Sequence, residues 1–147
     1  MLNMTIFAER LSEMMFDANL SAQKMADILS IDRTSVNKYL CAKRLPSATV
    51  LIRLANYFNC SIDYILGLEN EYYISARKEC PPFRERLTYL LQKKNKTKAD
   101  LQRKTLIRES TIYNWLRGDF YPDADNLYKL SKYFDCSIDA VLGRTES

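Results

Sequence analysis

Between Asp32 and Leu40 the chain sets Arg33, Thr34, Ser35, Asn37 and Lys38 around the apolar residues Val36, Tyr39 and Leu40. A guanidinium fork, two hydroxyls, an amide and an ammonium can satisfy donors and acceptors on a partner; they are poorly suited to making or breaking bonds. With Ile31, Val36 and Tyr39 or Leu40 turned inward on a helix, the five polar residues face outward. Such a ridge suits a groove about 12 Å wide and the base edges at its floor. Lys43 and Arg44 follow directly and suit phosphate oxygens. The preceding helix starts near Ala22 and Gln23, where free backbone N–H groups favour the same kind of anion. A polar helix face is ordinarily just solvated. Here no acid interrupts the face after Asp32 and two cations flank it, which favours a polyanionic partner.

Other chemistries find little to work with. The 147 residues include no histidine, the commonest general base near neutral pH. Cys41, Cys60, Cys80 and Cys136 form no CxxC pair, so they read as small buried hydrophobes rather than zinc ligands. Three glycines leave nothing for a Gly-rich phosphate loop, and no carboxylates cluster. The expectation is a protein without enzymatic activity, metal or cofactor. No apolar run approaches the ~20 residues of a membrane span, and the N-terminus carries acids early instead of a basic-then-apolar leader. A cytosolic protein is expected. With 47% hydrophobic and 27% charged residues, a packed core is within reach and disorder is disfavoured. The net charge of +4 is uneven: residues 1–76 carry seven Lys or Arg against eight Asp or Glu, residues 77–147 fifteen against ten.

What positions the polar ridge is a duplicated framework. Shifted by 76 positions, the sequence matches itself without a gap. Phe7, Glu9, Arg10 and Leu11 fall over Phe83, Glu85, Arg86 and Leu87; Leu51, Leu54, Tyr57 and Phe58 fall over Leu127, Leu130, Tyr133 and Phe134. Cys60-Ser-Ile-Asp63 recurs as Cys136-Ser-Ile-Asp139, and Leu66-Gly67 as Leu142-Gly143. The register holds over 7–67 and 83–143, so two globular units are expected, not a solenoid. Each predicts five short helices. The first uses Phe7, Leu11 and Met14, or Phe83, Leu87 and Leu90, at helical spacing. The second starts after Ser21 or Thr97, where Asp100 resembles the return arm of a capping box. The third runs from Asp32 to Leu40, its counterpart to Leu116, before a glycine able to close it. Pro46-Ser47 and Pro122-Asp123 open the fourth; Ser61 and Ser137 cap the fifth, with Asp63 and Asp139 suited to its first turn. No period-two alternation suggests strands, and the expected class is all-α. The domains are expected at 1–68 and 83–147, joined by a linker, 69–82, whose Tyr72, Tyr73 and Ile74 are apolar enough to pack. Some 15 extended residues reach about 50 Å, enough for both units to touch one duplex.

Two helices of about nine residues, joined tightly and anchored by Leu20, Met25, Leu29, Ile31, Val36 and Tyr39 or Leu40, are what a helix-turn-helix needs. With Pro46 behind the second of these helices and the Cys-Ser-Ile-Asp-x-x-Leu-Gly ending, each 61-residue copy resembles the Cro/repressor-type (xenobiotic-response-element-like) helix-turn-helix family. The resemblance implies two tandem five-helix, lambda-repressor-like DNA-binding domains. It implies base contacts by Arg33, Thr34 and Asn37, with Arg33 able to pair with guanine. Relatives often carry Gln where Ala22 stands, so one phosphate contact is lost here; Lys98 occupies that place in the second copy. The second copy's outward face is Arg108, Glu109, Ser110, Thr111, Tyr113 and Asn114, with Arg117 beyond it. Three departures set this copy apart. Leu106 replaces the usual turn glycine, Gln102 the small residue at the helix crossing, and Asp119 stands where the first copy has Lys43. Tyr39 and Trp115, at equivalent positions, read as core packing. The expected function is a regulator of transcription, acting as a repressor on double-stranded DNA and able to form a homodimer. The alternative is a protein-interaction or dimerisation module on the same scaffold, antitoxin-like or anti-repressor-like.

Overall fold

The computed structural model describes residues 2–72 and 79–145. Among them are ten helices and no strand, and the fold is all-α. The chain divides into two compact units, Met1–Ala76 and Arg77–Ser147. Unit 1 holds α1 (Met4–Asp17), α2 (Ala22–Leu29), α3 (Arg33–Leu40), α4 (Ala48–Phe58) and α5 (Ile62–Ile65). Unit 2 holds α6 (Phe83–Lys93), α7 (Lys98–Thr105), α8 (Glu109–Arg117), α9 (Ala124–Phe134) and α10 (Ile138–Leu142). Of the linker residues expected to pack, Tyr72 does so: its ring meets Tyr64 edge-on at 5.2 Å and its hydroxyl donates to the Phe58 carbonyl. Tyr73 and Ile74 lie outside the described residues.

Side-chain caps set the starts of most helices. In unit 1, Ser21 accepts from the Lys24 N–H at 3.1 Å, Asp32 from Ser35 at 2.8 Å, Ser47 from Val50 at 3.3 Å and Ser61 from Tyr64 at 3.0 Å. Each such cap is worth about 1 kcal/mol. Thr97, Asp123 and Ser137 repeat the device in unit 2. The expected capping box at Thr97 is only half formed. Thr97 caps the Asp100 N–H, but the Asp100 carboxylate turns away to Arg103, at 2.6 Å, and to Tyr133. Aspartate is one methylene shorter than the usual glutamate, and two nearer donors claim it.

The repeated apolar positions form two separate cores. Phe7, Leu11, Met25, Ala26, Leu29, Val36, Leu51 and Leu54 are wholly buried in unit 1; Leu87, Leu90, Leu101, Leu127 and Leu130 are wholly buried in unit 2. Tyr39 and Trp115 are packing residues, edge-on to Phe7 at 6.0 Å and to Phe83 at 5.9 Å. The repeated arginine of the first helix also has a structural role. Arg86 donates from Nε and Nη2 to the Ala140 carbonyl at 2.9 and 2.6 Å, and Arg10 donates to the equivalent Tyr64 carbonyl and to that of Glu69. Each guanidinium ties the first helix to the carbonyl end of the fifth, where a cation is favoured. The expectation of buried cysteines holds fully only for Cys60: Cys80 and Cys136 are half-buried, and Cys41 is exposed because it caps the solvent-facing end of α3. Among the described residues no group of three His, Cys, Asp or Glu could hold a metal ion.

The backbone repeats as closely as the core. Asn19 and Asn95, Ser30 and Leu106, and Asn59 and Asp135 all occupy left-handed conformations at matched positions. Leu106, at φ +60°, sits in the tight turn between α7 and α8 with 84% of its surface exposed. A branched side chain there costs roughly 1 kcal/mol in backbone strain, and so exposed a side chain returns little burial energy. Leu106→Gly is expected to stabilise unit 2 by about 0.5–1 kcal/mol, after the entropy glycine adds to the unfolded chain. Thermal unfolding checks this, and an unchanged or lowered midpoint would refute it.

Candidate nucleic-acid interface

In unit 1, α2 packs against α3 across Ala26, whose small side chain is wholly buried and allows a close approach. Val36 and Tyr39 anchor α3 from beneath, which leaves Arg33, Thr34, Asn37 and Lys38 exposed. Leu40 and Ser35 are half-buried. The Asp32 carboxylate is taken up by the cap, and the Ser35 N–H bond, with Arg44 and Lys38 nearby, holds it below the usual carboxylate range. Ala42 adopts a left-handed conformation after α3, and the Lys43 N–H returns to the Lys38 carbonyl at 2.9 Å. That reversal turns Arg44 back along the helix. Its Nη2 donates to Ser35 Oγ at 2.7 Å, and its guanidinium lies 5.5 Å from the Tyr39 ring centre. Three of the residues picked out from sequence, Gln23, Ser35 and Arg44, are thus already engaged. Ser35 accepts from Arg44, and Gln23 donates to Asp27 Oδ1 at 2.9 Å, one turn along α2. Lys43 is exposed.

In unit 2 the exposed face comprises Arg108, Glu109, Ser110, Tyr113, Asn114 and Arg117, with Thr111 half-buried. Arg108 stands at the N-cap of α8 without a side-chain cap. Arg117 is not free along this face: it donates to the Tyr113 hydroxyl and lies 4.9 Å from that ring's centre. Gln102 is half-buried where unit 1 has Ala26, and beside it an open cleft of about 200 Å³ is lined by Lys98, Ala99, Gln102, Glu109, Ile112 and Tyr113. Gly118 ends α8 in an extended conformation, not the left-handed one a closing glycine often adopts. The chain therefore leaves the helix differently from unit 1. Asp119 pairs with Arg84, and the Phe120 ring lies against Gly118.

Comparison with known families settles what this pair of helices is. Residues 17–65 match a helix-turn-helix family, and residues 86–146 match the Cro/C1-type HTH DNA-binding domain. The chain thus carries two helix-turn-helix domains of Cro/C1 type in tandem. Two curated relatives come from Bacillus subtilis strain 168. The SPbeta prophage-derived uncharacterized HTH-type transcriptional regulator YonR is 36% identical over 61 residues, 42% of this chain and 56% of that protein. The uncharacterized HTH-type transcriptional regulator YqaE is 36% identical over 67 residues, 45% of this chain and 58% of that protein. The chain thus matches a little over half the length of these relatives. No solved structure matches.

Within the second helix-turn-helix domain, Lys98 opens α7 and is exposed. The α7 N-terminus is held by a residue sequence reasoning missed. Tyr133 of α9 donates to Asp100 Oδ2, and this bond holds the Asp100 carboxyl below its usual range. Burial, followed by the same bond, pushes the Tyr133 phenol up. A depressed carboxyl stabilises the fold fully above the ordinary Asp value, about 3.9, and loses that contribution as pH falls through the lower native one. Tyr133→Phe is therefore expected to lower the urea midpoint of unit 2 at pH 7 and to flatten its fall between pH 5 and 3. Parallel acid limbs for the two proteins would show that the bond contributes nothing.

Proposed function

We propose that this protein is a sequence-specific regulator of transcription that binds double-stranded DNA in the major groove through α3, and through α8 as a second head. The observation that carries this reading is the exposed ridge Arg33–Lys38, fixed from below by buried Val36 and Tyr39 and flanked by Lys43 and Arg44. The two domain matches and the names of the relatives support it. Arg33, Thr34, Asn37 and Lys38 are assigned to bases; Ser35 acts through Arg44; Lys43, Arg44 and Lys98 serve phosphates. The helix-turn-helix domains are assigned to residues 1–68 and 83–147, joined by 69–82. Repression is the assigned sign, by occlusion of a promoter, in the cytoplasm and with no enzymatic step. A homodimer would double the number of heads on one site. No helix among the described residues is long and apolar enough to cross a membrane.

The test is binding to DNA selected from random duplexes, repeated over a salt series. Each phosphate neutralised contributes about −0.9 to the slope of log K against log salt. Lys43→Gln is expected to lower affinity for all sequences alike and to reduce that slope by about 1. A flat salt response without sequence preference would overturn the proposal. A second reading, docking of a protein on unit 2, is favoured by Leu106 and by Phe120, which is 62% exposed where unit 1 has Arg44.

A further inference from the structure

The two heads share a core but present opposite chemistry at the start of the reading helix. In unit 1 the order is Asp32-Arg33; at the matched positions of unit 2 it is Arg108-Glu109. In unit 1 the acid is taken up by the cap and the exposed first residue of α3 is a cation. In unit 2 the cap position carries the arginine, with no side-chain cap, and the exposed first residue of α8 is an anion. An arginine side chain only donates hydrogen bonds and an ionised glutamate only accepts them. In the major groove the first matches guanine O6 and N7, the second the cytosine N4 amino group. Both belong to one G·C pair, so the difference is one of strand: docked alike, unit 1 selects guanine and unit 2 cytosine on the same strand at the matched position.

The differences continue along the helix. Asn37 is matched by Tyr113, whose hydroxyl is engaged by Arg117, and Cys41 by Arg117. The left-handed Ala42 that turns Lys43 and Arg44 back along α3 is matched by an extended Gly118, after which Asp119 pairs with Arg84 of α6. The anion anchors also change ends: unit 1 has Lys43 and Arg44 beyond its reading helix, unit 2 has Lys98 at the start of α7. Glu109 further lines the cleft beside Gln102; the matched residues in unit 1 are Arg33, exposed, and Ala26, wholly buried.

We infer that one chain reads two unlike half-sites, with guanine at the strand position faced by Arg33 of unit 1 and cytosine at the matched strand position faced by Glu109 of unit 2, so that the two half-sites read by one chain are not copies of one sequence in either orientation. Palindromic sites follow from identical heads related by symmetry; these heads are covalently paired and chemically different. The inference rests on the DNA-binding function proposed above.

Selection of random duplexes by the full chain, run beside Arg33→Gln and Glu109→Gln, tests it. The wild type is expected to enrich two different half-site motifs. Arg33→Gln should flatten preference at one position of one half, and Glu109→Gln at one position of the other, each by about 5- to 100-fold. Both residues are exposed, and matching thermal midpoints would exclude misfolding. Two copies of the same half-site, a single half-site, or a Glu109→Gln motif identical to wild type would overturn the inference while leaving DNA binding intact. Absence of any enriched sequence would overturn the DNA-binding proposal, and this inference with it.

Discussion

Reversing the charge of Arg33 and Lys38 together, to glutamate, is expected to lower affinity for the selected operator by ~100-fold or more. A good bidentate base contact is worth about 1–3 kcal/mol of discrimination, and every 1.4 kcal/mol is tenfold in affinity. The double substitution removes two cations from the ridge assigned to base edges and installs two anions in a groove walled by phosphates. Both side chains are exposed, whereas the anchors Val36 and Tyr39 are buried and untouched, so the fold should survive. Fluorescence anisotropy with labelled operator measures the loss, and circular dichroism checks the helices. Retention of binding within about threefold would mean that α3 is not the reading element. Docking of a protein would then become the better account of the scaffold.

Much of this framework is legible in the sequence because its determinants are local. Ser21, Asp32, Ser47 and Ser61 each announce a helix start by a hydrogen bond spanning three residues, and each bond is present. The repeat adds a second, independent line, since most positions apolar in both copies are buried, Tyr57/Tyr133 and Leu40/Leu116 being exceptions. The split of α3 into a buried side and an exposed side follows from helical periodicity and the small Ala26 at the crossing.

The details that shape the site are legible less well, because they depend on contacts distant in sequence or on backbone conformation. Nothing about Arg44 alone shows that it folds back to Ser35; the left-handed Ala42 makes it do so, and alanine is a weak signal for that conformation. Gly118, the stronger signal for it, is extended instead. The hydrogen bond of Tyr133 to Asp100 joins residues 33 apart. By contrast, the engagement of Gln23 was open to sequence reasoning, since Asp27 lies four residues on and such pairs meet on a helix. The mismatch Asp32-Arg33 against Arg108-Glu109 was equally visible. Its meaning depends on which residue the cap consumes.

The same lesson yields the largest expected effect on stability. Asp139 and Asp63 occupy the same place in the repeated Cys-Ser-Ile-Asp segment, and both look like ordinary first-turn acids. The structure separates them. Asp139 is 2% exposed and pairs with Arg144, which is also 2% exposed, whereas Arg144's counterpart in unit 1 is Leu68, 39% exposed. Asp139→Ala breaks this buried ion pair and is expected to cost about 3–5 kcal/mol. For a unit of some 70 residues, with a total stability of about 4–10 kcal/mol, that is enough to bring it near unfolding. Asp63 is half-buried and has no arginine at the place of Arg144, so Asp63→Ala should cost less than Asp139→Ala. A double variant, Asp139→Leu with Arg144→Met, removes both charges and should recover most of the loss, because well-packed apolar replacements of buried ion pairs are often neutral. Urea unfolding of the full chain measures all three. Equal losses for Asp139→Ala and Asp63→Ala would show that the two acids play one role, and that the buried pair adds nothing beyond the helix dipole.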